Sequence, residues 1–235
     1  MTKKKKTPKP LTLSETEGLL GSVYLVLELT VIPGLVAWAA EALGGLSEGA
    51  QNYLYYWINA VCCGWIFREM LKSSLISAGQ NILRLFGTVV VGFLILLGSN
   101  QLVTSLAERL IPGFVNSNNA AVADMVRINP VTMSLSLILL VPLAEECLFR
   151  GLFFVGLAGR NRGLAYLISV CAFCAIHVLG YVGTVDALTL GICFVQYIPA
   201  GLVLAWSCEK TGSVCAPMLI HAAINAGSIH SLALR

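Results

Sequence analysis

Three short stretches of the sequence place polar and ionisable side chains inside apolar segments. They are EECLFR at 145–150, FCAIH at 173–177 and HAAIN at 221–225. An ionisable side chain at the centre of a bilayer costs about 2.5–3.5 kcal/mol on insertion scales, so it is retained where it is paired or used. These stretches therefore hold the candidate residues for chemistry.

The spacing within EECLFR predicts two carboxylates with different roles. At about 100° per residue of a helix, Glu146 and Arg150 share a face, whereas Glu145 points about 100° away. We expect the guanidinium to neutralise Glu146 and Glu145 to stay unpaired. A desolvated, unpaired carboxylate has a raised proton affinity, which suits a general base. The alternative is a structural ion cluster that binds helices together.

The two later stretches supply histidines and an amide. His221 and Asn225 share a helix face, as do Phe173 and His177, because each pair is four residues apart. His230 falls about 180° around the helix from His221. We therefore interpret it as an interfacial histidine rather than a site residue.

Depth along the predicted helices allows these groups to meet. At about 1.5 Å per residue, Glu145 lies about 18 Å, His177 about 20 Å and His221 about 10–15 Å from the cytoplasmic end of its helix. One layer could thus hold a water molecule next to an amide donor, which favours hydrolysis. Glu145 would accept the proton of the water and His177 would orient it. His221 and Asn225 would donate hydrogen bonds to the oxyanion.

Other motifs offer little competing chemistry. No serine or cysteine has an evident base partner, and the sequence has no glycine-rich phosphate loop and no H-E-x-x-H. Cys171 and Cys174 form a C-x-x-C, but no second pair at zinc-finger spacing accompanies them. We interpret the eight cysteines as small packing residues of the apolar runs.

The composition indicates the elements that must position these residues. Hydrophobic residues make up 57% of the 235 and charged residues 11%, whereas soluble domains carry about 25% charged residues. Stretches long enough to cross about 30 Å of hydrocarbon as helices occur near 18–40, 84–103, 131–157, 164–182, 187–207 and 214–233, with a shorter one near 51–67. We predict an all-α fold, a polytopic transmembrane helical bundle of about seven spans. An eighth element would arise if AVADMVRI or SLAERLI forms a re-entrant or interfacial helix.

Basic residues predict the orientation of this bundle. With the N-terminus inside, most lysines and arginines fall on the cytoplasmic side, and Arg109, Arg127 and Arg235 fall outside. We expect one membrane domain over 1–235, located in a bacterial plasma membrane, with a polar N-terminus at 1–17 and a motif-bearing core at 130–230. The run of Lys3, Lys4, Lys5, Lys6 and Lys9 suits anionic lipids. No nucleic-acid partner is expected, because basic residues are not spread over a face with aromatics.

The three motifs together resemble those of one protease family. EECLFR fits E-E-x-x-x-R, FCAIH fits F-x-x-x-H and HAAIN fits H-x-x-x-N, in this order and in successive predicted spans. The sequence is therefore similar to the CAAX protease and bacteriocin-processing family, also called the Abi family, which includes the type II CAAX prenyl endopeptidases. The resemblance covers about residues 130–230; the N-terminal spans match only in being hydrophobic.

The resemblance implies an intramembrane endopeptidase that acts on a membrane-associated or prenylated, CAAX-like peptide. The family's functional positions fall on Glu145, Glu146, Arg150, His177, His221 and Asn225. The family has been described both as metalloproteases and as glutamate proteases without an essential metal. Glu145, His177 and His221 could ligate zinc or another divalent metal. Asn225 fits an oxyanion donor better than a zinc ligand, which favours the metal-free mechanism.

Several alternatives stay open at this stage. Few residues follow Asn225, so a further span of the prenyl proteases has no room, and peptide maturation, signal-peptide trimming or bacteriocin immunity are open roles. A non-catalytic protein could instead confer immunity by binding a peptide toxin. A proton-coupled transporter is a third hypothesis, although the sequence shows no inverted repeat. Glu28 has no assigned role: packing, gating and a buried neutral carboxyl are all open.

Overall fold

A computed structural model describes residues 10–233, and this part of the chain is helical without strands. The lysine run at 3–9 and Arg235, on which the lipid and orientation predictions partly depend, lie outside the described residues. The N-terminal half contains α1 (Glu15–Thr30), α2 (Ile32–Ala42), α3 (Glu48–Ile66), α4 (Arg68–Gln80), α5 (Ile82–Leu110) and α6 (Ser117–Ile128).

The C-terminal half contains the three motifs. Its elements are α7 (Pro130–Leu135), a π-helical segment (Ser136–Leu140), α8 (Val141–Glu146), a second π-helical segment (Cys147–Val155), α9 (Gly156–Ala158), α10 (Arg162–Val178), a 3-10 turn (Leu179–Tyr181), α11 (Ala187–Thr211) and α12 (Cys215–Ala233). EECLFR thus spans the end of α8 and the start of the second π segment, FCAIH lies in α10 and HAAIN lies in α12.

Three described helices are long and apolar enough to cross a membrane: α5, α10 with its 3-10 turn, and α11. A fourth candidate arises if α1 and α2 count as one span, because they are bent by 54° at their junction. Pro33, in the first turn of α2, cannot donate a backbone hydrogen bond to α1, which explains the break. The described residues therefore contain three or four candidate spans, against the seven predicted.

Residues 130–158 differ from the single regular helix predicted near 131–157. They form a continuous helical run in which α and π turns alternate. Pro142, in the first turn of α8, has no N–H for the carbonyl of the preceding turn, and the π turns of 136–140 lie directly before it. Such wider turns re-aim the side chains that follow and are common at functional sites.

A buried apolar cluster surrounds the motif residues. Leu96 of α5, Phe149, Phe173, Leu204 of α11 and Ile220 of α12 are its most buried members. Many large apolar side chains on the outside of the bundle are exposed, including Leu83 at 86% and Phe86 at 68% of α5. An exposed apolar surface of this kind suits a lipid solvent.

A close helix contact supports this cluster. Gly201 of α11 faces Val170 of α10, and a Cβ at position 201 would lie 2.9 Å from Val170 Cγ1 and 3.2 Å from its Cα. The missing side chain lets the two helices approach. This contact fixes α10, which carries His177, against α11.

Candidate active site

One cavity of about 480 Å³ brings together the residues singled out in the sequence. Glu145 of α8, His177 and Phe173 of α10, and His221 and Asn225 of α12 all line it. Helices far apart in the chain therefore present their polar side chains to one space. The exposed His230, also on α12, is not among the lining residues.

Glu145 and His177 face each other across this cavity. Glu145 Oε2 lies 3.9 Å from His177 Nε2, and their side chains are 23% and 13% exposed. Glu145 Oε2 is buried and has no hydrogen-bond partner among residues 10–233. The distance is too long for a direct hydrogen bond.

The backbone of α10 fixes the tautomer of His177. Its Nδ1 lies 2.8 Å from the carbonyl oxygen of Phe173. A carbonyl oxygen only accepts, so Nδ1 carries the hydrogen, and Nε2 of the neutral ring is an acceptor. Two hydrogen-bond acceptors, Nε2 and the Glu145 carboxylate, thus face each other 3.9 Å apart.

Glu146 is held differently from its neighbour. Its Oε1 accepts a hydrogen bond from Arg150 Nη1 at 3.0 Å, and both side chains are fully buried. The ion pair that the spacing predicted is therefore present. The same oxygen lies 2.9 Å from His221 Nδ1, which links the pair to α12.

This contact also fixes the tautomer of His221. Because Glu146 is paired with a guanidinium, its carboxylate is the acceptor, and His221 Nδ1 is the donor. Nε2 of a neutral His221 would then be an acceptor. His221 can donate a second hydrogen bond only as the imidazolium ion, whose charge Glu146 offsets.

Phe173 lies at the centre of these groups. Arg150 Cζ is 4.4 Å from the centre of its ring, which is cation–π geometry. The ring centres of His177 and His221 lie 4.5 Å and 6.0 Å from the Phe173 ring centre. The phenylalanine of F-x-x-x-H therefore packs against both histidines and the arginine.

Asn225 connects α12 to the first π segment. Its Nδ2 donates to the carbonyl oxygen of Leu137 at 2.7 Å. One N–H of the amide is used in this way, and the second N–H can serve a ligand in the cavity.

The described residues contain no group of three His, Cys, Asp or Glu side chains that could hold a metal ion. Glu145, His177 and His221, the predicted alternative zinc set, therefore do not converge as metal ligands here.

Residues 127–227 match the family model of the type II CAAX prenyl endopeptidase Rce1-like proteins. The resemblance predicted from the three motifs is thereby confirmed, and the match contains all of them. No significant match was found among curated proteins or among solved structures. Over residues 127–227 the chain is thus similar to the type II CAAX prenyl endopeptidases, and its long apolar helices suit an integral membrane protein.

Several lining residues of the cavity lie outside the three motifs. Tyr197 and Gln196 come from α11 within the Rce1-like region, whereas Asn116, Asn118 and Asn119 precede it. Tyr197 and Gln196 interrupt an apolar run, so the rule that selected Glu145 could have selected them. Asn116, Asn118 and Asn119 lie outside the long apolar runs, so that rule would not have selected them.

Glu28 does not line this cavity. Its Oε1 accepts a hydrogen bond from Tyr55 of α3 at 3.5 Å, and its Oε2 is buried without a partner among the described residues. Tyr24 donates to Asn59 nearby along the same helices. Glu28 thus belongs to a polar contact between α1 and α3, outside the Rce1-like region.

Proposed function

We propose that the chain is an intramembrane endopeptidase that hydrolyses a peptide bond of a membrane-associated peptide, with a prenylated, CAAX-like peptide as one candidate substrate. The observation that carries the proposal is the pair of facing acceptors, Glu145 Oε2 and His177 Nε2, 3.9 Å apart in the cavity. A water molecule has two hydrogens and can donate one to each. Its oxygen lone pairs then point towards a substrate carbonyl.

Glu145 acts as the general base. As the water oxygen attacks the carbonyl carbon, Glu145 takes a proton from the water, and the carbonyl π electrons move to the oxygen to give a tetrahedral intermediate. The protonated Glu145 then gives this proton to the leaving amine nitrogen as the C–N bond breaks. The carboxylate is regenerated, and His177 keeps the water in place.

His221 and Asn225 stabilise the oxyanion. Asn225 offers the N–H that Leu137 does not use, and His221 donates through Nε2 as an imidazolium ion. The Glu146 carboxylate beside Nδ1 supports that charge. Glu146 and Arg150 therefore act through His221 rather than on the substrate.

The proposed orientation places the N-terminus in the cytoplasm. Arg162 at the start of α10 pairs with Glu209 at the end of α11, next to Lys210. Ser77 of α4 donates to the Thr211 carbonyl at 3.1 Å, so α4 reaches the same end. Segments that carry lysines and arginines thus lie together at one end of the bundle, which supports the assignment of that end to the cytoplasmic side.

The proposed function can be tested in cells that carry either the wild-type protein or the Glu145→Ala variant. The membrane peptides of the two kinds of cell are compared. Mass spectrometry should find cleaved peptides with wild-type protein and the uncleaved forms with the variant. Equal peptide sets at equal protein levels would contradict the proposal. If cells remain protected against a peptide toxin with Glu145→Gln, binding without cleavage would explain that protection instead.

A chelator distinguishes a metal-free mechanism from a metal-dependent one. The facing acceptors need no metal to bind water, so we expect cleavage by the purified protein to survive 1,10-phenanthroline. The pH and detergent are held constant, and a zinc protease in the same detergent serves as the control. Loss of cleavage that added zinc restores would overturn the metal-free mechanism and leave peptide hydrolysis standing.

A further inference from the structure

The ring of His177 contacts two aromatic rings. The Phe173 ring centre lies 4.5 Å from that of His177, and the Tyr197 ring centre lies 4.3 Å from it with a tilt of 31°. Phe173 belongs to the same helix as His177, whereas Tyr197 comes from α11. The hydrogen bond from Nδ1 holds one edge of the imidazole, and Tyr197 adds a stacking contact that α10 alone does not supply.

The hydroxyl of Tyr197 is bound by the start of α6. Asn118 Nδ2 donates to it at 3.0 Å. The hydroxyl oxygen lies 3.2 Å from Asn119 Oδ1 and 3.4 Å from Asn116 Oδ1, so its hydrogen has an acceptor on either residue. These amides thus fix the outer end of the Tyr197 ring.

Asn116 ties this group to the helix frame. Its Oδ1 accepts from the Asn119 backbone N–H at 3.1 Å, as the N-cap of α6. Its Nδ2 donates to Gln196 Oε1 at 2.6 Å, and the residue is 6% exposed. The buried Asn116 therefore caps α6, binds Gln196 and lies next to the Tyr197 hydroxyl.

We propose that Tyr197 is a positioning residue that holds the His177 ring towards Glu145, and that Asn116, Asn118 and Asn119 set the position of Tyr197. This inference rests on the proposed function of His177. Water placement requires Nε2 to face Glu145 Oε2, and without the Tyr197 contact the His177 ring can tilt away. The start of α6 is thereby part of the active site, although it precedes the Rce1-like match.

Two substitutions distinguish the contribution of the Tyr197 ring from that of its hydroxyl. Tyr197→Leu removes the stacked ring, and we expect kcat to fall by about 10- to 100-fold, in line with a misplaced catalytic group. Tyr197→Phe keeps the ring and loses the asparagine contacts, so its kcat should fall between those of the wild type and Tyr197→Leu. Tyr53→Leu, at a tyrosine of α3 that is 37% exposed, is the matched control and should keep wild-type kcat.

Imidazole NMR gives a readout that is independent of cleavage. The chain has three histidines, so ring-labelled protein in detergent gives three side-chain signal sets. The His177 set is assigned by its loss in His177→Gln. Tyr197→Leu should shift and broaden the His177 signals, because a neighbouring ring current and a packing face are lost, and should leave those of His230 unchanged.

The kcat values and the His177 signals together test the proposal. A lower kcat together with shifted His177 signals supports it. Wild-type kcat overturns it, and so does a lower kcat with unchanged His177 signals, since Tyr197 would then act on the substrate. If Tyr197→Leu does not fold, the same two readouts on Tyr197→Phe decide. Full cleavage by Glu145→Gln would refute the proposed function, whereas the His177 signals would still report whether Tyr197 orients the ring.

Discussion

His221 Nδ1 lies 2.9 Å from Glu146 Oε1, the oxygen that also accepts a hydrogen bond from Arg150. The second carboxylate of the pair therefore has two partners on two helices. It does more than neutralise a buried arginine, because it sets which nitrogen of His221 carries a hydrogen. Glu145, one residue earlier, is left to face His177 in the cavity.

Glu145→Gln should abolish proton transfer and leave the fold intact. The amide is almost isosteric with the carboxylate and cannot accept a proton from water, so we expect kcat to fall by about 10²- to 10⁴-fold. Cleavage of a substrate peptide by purified protein measures the effect. Glu41→Gln, at an exposed position of α2, is the control and should be fully active. Wild-type kcat in Glu145→Gln would exclude the general-base role.

His221→Gln should lower kcat by about 10²- to 10³-fold, which is the usual effect of removing an oxyanion donor. The matched control is His230→Gln on the same helix, since His230 is exposed and does not line the cavity. Cleavage rates of the two variants at equal concentrations of folded protein measure the difference. Equal rates would show that His221 has only a packing role.

Arg150→Met should destabilise the protein by about 3–5 kcal/mol, because it leaves the Glu146 carboxylate buried without its guanidinium. Unfolding in mixed micelles measures this change. The double variant Glu146→Gln with Arg150→Met should be less destabilised than the sum of the single variants. Arg162→Met, at a pair whose arginine side chain is 70% exposed, should change stability little. Similar losses for Arg150→Met and Arg162→Met would contradict the buried-pair account.

Gly201→Ala should lower the free energy of unfolding by about 1–3 kcal/mol, the usual effect of overpacking. The new Cβ would meet Val170 of α10, including its backbone Cα at 3.2 Å. Gly191→Ala in the same helix is the control, because a Cβ there meets nothing within 4 Å. It should stabilise α11 by about 0.5–1 kcal/mol. The same sign for both variants would refute the role of this helix contact.

Local spacing was sufficient to predict part of the site. The Glu146–Arg150 pair follows from a separation of four residues, and α5, α10 and α11 follow from long apolar runs. The contact of Glu146 with His221 joins residues 75 positions apart, so it depends on how α8 and α12 pack. Helix periodicity describes one helix and contains no information about that packing.

The bend between α1 and α2 and the π turns were not predicted, although Pro33 and Pro142 were visible in the sequence. A proline removes one backbone donor, but whether the chain bends or widens its turn depends on the neighbouring helices. The position of Tyr197 is a similar case. Its place in an apolar run could have indicated a buried role, whereas its contact with His177 needed the packing of α11 against α10.

The π turns at 136–140 also determine which changes of chain length the site can accept. A π turn holds one residue more than the α turn it replaces, so deleting one residue there can give a regular helix without unravelling it. Because the deletion removes only the extra residue, everything downstream would keep nearly the same rotation relative to α7. A one-residue deletion in the α turns of α7 or α8 would instead rotate the downstream part by about 100° and turn Glu145 away from His177, with every motif residue still present. Loss of one residue should therefore be tolerated better within 136–140 than in the α turns on either side.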